Sequence, residues 1–172
     1  MAERMELTRP VFFVGFMGAG KTSVARRLAR TCGVASVDMD TYIERREGKK
    51  VKEIFAEGGE EGFRAIETDV LRELGAKPDP LLISCGGGVV KDPANLRALH
   101  ANGIVLFIDR PLEDLLVGGG RPLSTSPEAL KTMEAQRRPL YLAAADAVIP
   151  NKTTPADAVT AAMEALDEIF SH

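Results

Sequence analysis

Short apolar runs alternate with longer segments of helical periodicity along most of the chain. The runs are rich in β-branched and aromatic residues, which favours strands buried on both faces. They occupy residues 11–14, 35–37, 81–83, 104–108 and 147–149. Buried strands separated by helices predict a parallel sheet joined by right-handed crossovers. We therefore expect an α/β fold with three layers, in which helices cover both faces of a sheet of about five strands.

The segments between these runs carry signals for the starts and ends of helices. Residues 21–30 and 60–74 place apolar side chains on one face, and a glycine that predicts the helix end follows each of them, Gly33 and Gly75. A capping residue followed by proline is typical of a helix start. Three further helices are predicted from such pairs, which begin at Asp92, Ser126 and Thr154.

Composition narrows the class of protein without naming a function. A chain of 172 residues with 45% hydrophobic and 27% charged residues predicts a single globular domain spanning 1–172. No long apolar run or secretory pattern is present in the sequence, so we expect no membrane partner. The net charge of −3 and the lack of tryptophan oppose nucleic-acid binding. Two cysteines suit a reducing cytoplasm, where we expect the protein to act.

Nine of the sixteen glycines fall in three clusters, at residues 15–20, 86–88 and 118–120. The first cluster belongs to GFMGAGKT, residues 15–22, which fits the phosphate-binding pattern G-x-x-x-x-G-K-[ST] between a strand and a helix. Backbone N–H groups and the helix N-terminus bind phosphates there, Lys21 reaches the β- and γ-phosphates, and Thr22 binds Mg²⁺. The sequence therefore predicts binding of a nucleoside triphosphate, by a kinase, a GTPase or an ATPase.

Two features of the sequence bear on whether the protein is a kinase, a GTPase or an ATPase. A GTPase reads guanine with N-K-x-D, but the similar segment that starts at Asn151 has Thr154 in place of the aspartate. An ATPase uses an apolar strand that ends in an acid, and Asp109 follows such a strand. Asp109 is thus either a metal-binding acid or a cap before Arg110 and Pro111.

Asp38 and Asp40 offer a second pair of acids, at the carboxyl end of the second strand. Open α/β sheets bind ligands at strand carboxyl ends. One acid is suited to hold Mg²⁺ through water, and the other to orient or deprotonate an acceptor hydroxyl. The alternative is an N-cap and a solvated acid at the start of a helix over residues 41–46.

Arg64 and Glu67 share one face of a predicted helix at spacing i,i+3. Such a pair is either a surface ion pair or an arginine held rigid to receive a substrate carboxylate. Two further arginines, Arg137 and Arg138, are expected at a helix end, where the helix dipole favours cations.

The other glycine clusters predict a close approach of the backbone to a ligand. The triple glycine at residues 86–88 ends the third strand, where it suits contact with a small molecule or a plain turn. The cluster at 118–120 precedes Arg121 and predicts either a hinged, mobile loop that carries this arginine over the phosphates or a flexible linker.

In this order, the segments GFMGAGKT, DMD, FRAIE, GGG, RPL and RRPLY resemble the shikimate kinases, a family within the nucleoside-monophosphate-kinase-like P-loop fold. The resemblance covers about residues 11–162. It implies transfer of the ATP γ-phosphate to the 3-hydroxyl of shikimate, on the route to chorismate and aromatic amino acids. It also implies a monomer with strand order 2-3-1-4-5, a substrate-binding segment near 39–67 and a lid near 112–125.

The resemblance assigns roles residue by residue. It implies Lys21, Asp40 and Arg121 as catalytic residues, with Asp40 also contacting the substrate hydroxyls. Mg²⁺ would be held by Thr22 and Asp38. ATP would be bound by Gly18, Ala19, Gly20, Lys21, Thr22, Ser23, Arg121 and Lys152. Shikimate would be bound by Asp40, Arg64, Gly87 and Arg137, with Glu67, Gly86 and Gly88 in support.

The chain departs from the family pattern in one region. Only residues 110–120 separate the fourth strand from Arg121, which predicts a short lid. Leu116 and Val117 stand where the family often has an arginine that stacks on adenine, and serine follows the RPL segment. Two alternatives to a shikimate kinase remain, a related small-molecule kinase such as a gluconate kinase and a nucleotide-binding domain that has lost turnover.

Overall fold

Five parallel strands form one sheet in the order β2-β3-β1-β4-β5, as predicted. The structure is a computed structural model that describes residues 7–117 and 126–171. The strands are β1 (Val11–Val14), β2 (Ala35–Asp38), β3 (Leu81–Ser84), β4 (Ile104–Asp109) and β5 (Ala147–Pro150).

Seven α-helices connect and flank the described strands. They are α1 (Lys21–Cys32), α2 (Met39–Glu47), α3 (Val51–Gly75), α4 (Pro93–Asn102), α5 (Leu112–Val117), α6 (Pro127–Ala144) and α7 (Pro155–Phe170). A short 3-10 turn, Val89–Lys91, follows the triple glycine.

The helix starts and ends agree with most of the sequence signals. Asp92, Ser126 and Thr154 each accept a hydrogen bond from a backbone N–H of the helix they cap. Gly33 ends α1 in the left-handed conformation. α3 differs from its prediction because it begins nine residues before residue 60, at Val51, which is about two and a half turns, and bends at Gly59, where φ is 68° and ψ −170°.

Right-handed crossovers decide which face of the sheet each helix covers. The chain moves in one direction across the sheet from β1 to β2, and in the other from β2 through β3 and β4 to β5. α1 therefore lies on the opposite face from α3, α4 and α6. The packing agrees, because α1 contacts α7, whereas α3 packs against α4, and α4 and α6 both contact β4.

The core lies around the three central strands. β1 and β3 are buried along their whole length, whereas the edge strands β2 and β5 are partly exposed. Phe12 and Phe13 point to opposite faces of β1 and both are fully buried. Across the described ranges, no helix is long and apolar enough to cross a membrane.

The register of the strands brings three of the sequence motifs to one edge of the sheet. Asp38 on β2 pairs with Ser84 on β3, and Ser84 pairs in turn with Phe13 on β1. Because the strands are parallel, the segments that follow them leave the sheet side by side. The loop after β1, the two aspartates and the triple glycine therefore meet at the carboxyl edge.

Gly103 shows how tightly this core is packed between α4 and β4. Its backbone is extended, but an added Cβ would lie 2.5 Å from a Phe12 ring carbon and 2.7 Å from the Pro10 carbonyl oxygen. We expect Gly103→Ala to lower the free energy of unfolding by about 1–3 kcal/mol, because one of these neighbours must move. Urea unfolding followed by circular dichroism measures the change.

Gly62→Ala is the matched control, because an added Cβ at this position inside α3 meets nothing within 4 Å. Alanine is a better helix former than glycine, so this variant should be about 0.5–1 kcal/mol more stable than the native protein. Unchanged stability of Gly103→Ala would contradict the packing described for this position.

Candidate active site

The loop between β1 and α1 has the backbone of a phosphate-binding loop. Gly18 and Gly20 have φ values of 82° and 96°, in the left-handed region. An L side chain at Gly20 would also lie 2.6 Å from the amide nitrogen of Asn151. These turns direct backbone N–H groups inward as an anion nest at the start of α1. The predicted triphosphate contacts lie in this loop (Gly18, Ala19, Gly20) and in the first turn of α1 (Lys21, Thr22, Ser23).

Lys21 is buried beneath this loop, and its Nζ donates to the Gly15 carbonyl oxygen at 2.5 Å. Burial lowers the pKa of Lys21 to about 8, although the carboxylates of Asp40 and Asp38 oppose that shift. A phosphate group beside Nζ would favour the charged form. The lysine is therefore placed to bind an anion.

Two oxygens suitable for Mg²⁺ lie at the start of α1 and the end of β2. The Thr22 hydroxyl is 3.0 Å from the hydroxyl of Ser84, which is the residue in register with Asp38. Mg²⁺ prefers hard oxygen ligands and is usually held by one or two protein groups together with substrate phosphates and water. Throughout 7–117 and 126–171 no group of three or more His, Cys, Asp or Glu residues forms a metal cage. Thr22 and Asp38 offer a hydroxyl and a carboxylate oxygen, which are the kinds of ligand that fit Mg²⁺.

The two aspartates occupy the junction of β2 and α2. Asp38 stands at the N-cap position of α2, but its side chain does not cap the helix and accepts instead from the Thr41 hydroxyl at 3.1 Å. Asp40 lies in the first turn of α2. Removal of surrounding water raises the pKa of Asp40, and the Asp38 carboxylate raises it further, against the effects of Lys21 and Arg64. A raised pKa makes Asp40 a stronger base.

Arg64 and Glu67 form a buried ion pair, so the alternative of a surface pair is wrong. Arg64 Nη1 donates to Glu67 Oε1 at 2.8 Å, with the Glu67 side chain fully buried and 16% of the Arg64 side chain exposed. Burial raises the pKa of Glu67 although Arg64 and Asn95 act against that change. Asn95 was not singled out by the sequence analysis.

The triple glycine brings the predicted substrate residues together. A Cβ on Gly86 would lie 3.4 Å from Glu67 Oε2 and 3.5 Å from Asp40 Oδ1. One on Gly87 would lie 3.3 Å from Arg137 Nη1, and one on Gly88 would overlap the Arg64 guanidinium. The same Cβ on Gly87 would lie 3.5 Å from the backbone nitrogen of Met17 in the phosphate-binding loop. The three glycines thus line a site at which two arginines and an aspartate meet that loop.

The adjacent arginines on α6 have different partners. Arg138 makes two hydrogen bonds to Asp109, at 3.0 and 2.6 Å, and a third to Glu134 at 3.0 Å. Asp109 therefore forms an ion pair with Arg138, a role that the sequence did not predict for it. Arg137 has no salt-bridge partner among the described residues and lies 6.0 Å from the Phe16 ring centroid.

The position of these arginines within α6 differs from the prediction. α6 continues through Pro139 to Ala144, so Arg137 and Arg138 lie inside the helix and not at its end. The next turn carries Tyr141, which is buried and donates its hydroxyl hydrogen to the Gly87 carbonyl oxygen at 2.5 Å. This contact ties the triple glycine to the helix that carries Arg137.

Residues that the sequence analysis did not assign to the site hold the phosphate-binding loop in place. Arg110 donates to the Gly18 carbonyl oxygen at 2.9 Å, and Asn151 Nδ2 donates to the Ala19 carbonyl oxygen at 2.8 Å. Both residues follow strands that end at the same edge, β4 and β5, which is the signal that could have identified them. Lys152, the predicted ATP contact, is exposed in the loop after β5.

The predicted lid is only partly described. Its first residues form α5, whereas Arg121 and the glycines at 118–120 lie outside the described residues.

Several known proteins are similar to this chain in sequence and in fold. The shikimate kinase family model matches residues 17–167. Shikimate kinase of Parasynechococcus marenigrum is 41% identical over 155 residues, which cover 86% of this chain and 80% of that protein. Shikimate kinase from Acinetobacter baumannii in complex with shikimate superposes with a TM-score of 0.83 at 35% identity, covering 96% of this chain and 95% of that chain. A gluconokinase from Sinorhizobium meliloti, with a TM-score of 0.60 and 14% identity over 96% of this chain and 95% of that chain, shares the fold alone. By sequence and by fold, this chain belongs to the shikimate kinase family.

Proposed function

We propose that this protein transfers the γ-phosphoryl group of ATP to the 3-hydroxyl of shikimate, yielding shikimate 3-phosphate and ADP. The observation that carries the proposal is the convergence of Arg64, Arg137 and Asp40 on the triple glycine beside the phosphate-binding loop. Two arginines suit a carboxylate, an acid suits the hydroxyl groups, and the loop suits the phosphates. The three chemical parts of the reaction thereby have separate, adjoining sites.

On the donor side, the residues of the phosphate-binding loop supply positive charge around the triphosphate. The transferred phosphoryl group needs positioning and charge stabilisation more than covalent chemistry. Lys21 provides a buried ammonium group, and we propose Arg121 and Lys152 as further contacts to ATP. Thr22 and Asp38 would hold Mg²⁺, which when bound would neutralise charge on the phosphate oxygens.

On the acceptor side, Arg64 and Arg137 form what we call the carboxylate clamp. Arg64 uses Nη1 to bind Glu67, and Nε is buried, whereas Nη2 makes no hydrogen bond in the described part of the chain and is available to a ligand. Arg137 approaches the same glycines from α6 and has no acidic partner in the described part of the chain. An anionic substrate therefore explains why two cations face one pocket.

At the reacting centre, Asp40 accepts the proton of the attacking hydroxyl. The substrate oxygen forms its bond to the γ-phosphorus as the bond from that phosphorus to the ADP oxygen breaks, and the hydroxyl proton passes to the carboxylate. Partial removal of water and the nearby Asp38 raise the pKa of Asp40, which strengthens it as a base.

We further propose that the chain forms one domain, with a substrate-binding segment near residues 39–67 and a lid near 112–125. Closure of such a lid would exclude water, which competes with the substrate hydroxyl for the phosphoryl group. We propose that the protein acts in the cytoplasm as a monomer on small molecules, without nucleic-acid or membrane partners.

A coupled assay of ADP release with ATP and Mg²⁺ tests the function. We expect turnover that depends on shikimate and is absent with gluconate. Turnover with gluconate alone would indicate the related sugar-acid kinase. ATP binding by calorimetry without turnover of either substrate would indicate a nucleotide-binding domain that has lost its activity.

The adjacent arginines of α6 test the carboxylate clamp. We expect Arg137→Ala to raise the KM for shikimate by about tenfold to a hundredfold, since a charge-assisted hydrogen bond is lost. Arg64→Ala should raise the same KM by a similar factor. The measurement is steady-state kinetics with shikimate as the varied substrate.

Arg138→Ala is the matched control, because Arg138 is bound to Asp109 and Glu134. We expect this variant to lose stability while it keeps the native KM for shikimate. The reverse pattern, with an altered KM in Arg138→Ala and a native one in Arg137→Ala, would refute the assignment.

Asp40→Asn tests the proposed base. We expect kcat to fall by about 10²–10⁴-fold, because an amide cannot accept the hydroxyl proton, while calorimetry still detects ATP binding. The exposed Asp69 on α3 provides the control, and Asp69→Asn should keep the native kcat. A kcat near the native value in Asp40→Asn would exclude Asp40 as the base.

A further inference from the structure

The anchor of the carboxylate clamp is itself held by a second side chain. Glu67 Oε1 accepts one hydrogen bond from Arg64 Nη1 at 2.8 Å and another from Asn95 Nδ2 at 3.0 Å. Glu67 Oε2 is buried and has no hydrogen-bond partner among the described residues. The position of this carboxylate therefore depends on the two donors that meet at Oε1.

The partners of Asn95 fix the orientation of its amide. Asn95 is fully buried, and Nδ2 lies 3.0 Å both from Glu67 Oε1 and from the Val89 carbonyl oxygen. Both partners only accept hydrogen bonds, so the NH₂ group must face them. Asn95 Oδ1 then accepts from the Thr68 hydroxyl at 2.5 Å, and this hydroxyl shares its one hydrogen with the Arg64 carbonyl oxygen at 2.9 Å.

We propose that Asn95 is a positioning residue for substrate recognition. Its amide group, oriented by Thr68, holds Glu67. Glu67 in turn holds Arg64 at the distance from the triple glycine at which the substrate carboxylate binds. The proposal rests on the proposed role of Arg64 in the carboxylate clamp.

One side chain thereby connects the two elements that form this side of the pocket. One N–H of Asn95 bonds to Glu67 on α3, and the other bonds to Val89, which directly follows Gly88. The Arg64 guanidinium lies where a Cβ of Gly88 would be. The distance between arginine and glycine is thus set by a single amide group.

The other described contacts of the Arg64 guanidinium, with the Phe63 ring at 5.2 Å and with Glu60, position it less strictly than Glu67 does. Its second carboxylate neighbour, Glu60, is 3.5 Å from Nε, without a hydrogen bond, and 54% of the Glu60 side chain is exposed. Glu60 is also 2.7 Å from Lys91 Nζ. An exposed, shared carboxylate positions a guanidinium less strictly than a buried one.

Steady-state kinetics of Asn95→Ala tests the proposal. We expect the KM for shikimate to rise about tenfold, with kcat and the KM for ATP within about twofold of native values. Asp92→Ala is the control on the same helix, because Asp92 caps α4 but does not contact Glu67. This control should lower stability and leave both KM values unchanged.

A double-mutant cycle separates a positioning role from general destabilisation. If Asn95 acts through Glu67, adding Asn95→Ala to Glu67→Ala should change the shikimate KM by less than about twofold. A full tenfold effect in that background would overturn the proposal. So would an unchanged shikimate KM in Asn95→Ala, an equal rise in the KM for ATP, or the same change in Asp92→Ala.

Thr68→Val keeps the test decisive if Asn95→Ala does not fold. It preserves the side-chain shape and removes the hydroxyl that donates to Asn95 Oδ1 and lies 2.9 Å from the Arg64 carbonyl oxygen, so we expect the shikimate KM to rise about threefold. An unchanged value would then overturn the proposal.

Arg64→Ala, measured in the same series, separates the two claims. A native shikimate KM in Arg64→Ala would reject the carboxylate clamp itself, whereas an effect there without one in Asn95→Ala would reject only the role of Asn95.

Discussion

The buried ion pair between Arg64 and Glu67 is the interaction on which this active site depends. A carboxylate without solvent contact is costly unless charged and polar donors surround it. Here the donors are the guanidinium and one amide, and within the described part of the chain one carboxylate oxygen still has no hydrogen-bond partner. We propose that the arrangement serves ligand binding, since it fixes an arginine, which has many rotamers, in one place at the pocket. A fixed guanidinium loses less conformational entropy when a carboxylate binds.

The sheet provides the frame in which this pair becomes part of a site. Parallel strands in register end together, so the segments after β1, β2 and β3 supply the phosphate-binding loop, the two aspartates and the triple glycine at one edge. The absence of side chains at the triple glycine lets Arg64 and Arg137 approach from helices on the same face of the sheet. The proposed sites for ATP and for the acceptor are thus adjacent because the strands that carry them are neighbours in the sheet.

Local sequence patterns were sufficient to predict the strands, most helix starts and the phosphate-binding loop, because each of these depends on residues close together in the chain. The burial of Glu67 was not predictable in this way, since it depends on Asn95, which lies 28 positions further along the chain. Arg137 and Arg138 were expected at a helix end, where the helix dipole favours cations, but α6 continues past Pro139. The partner of Asp109 was not predicted for the same reason as the burial of Glu67, because Arg138 lies 29 positions further along the chain.

The central claim is that two arginines recognise the carboxylate of the acceptor. The most direct measurement compares shikimate with its methyl ester, which keeps the hydroxyl groups and lacks the negative charge, as substrates of the native protein. We expect kcat/KM for the ester to be lower by about a hundredfold or more, because two charge-assisted contacts are lost. Equal kcat/KM values for the acid and the ester would contradict the account.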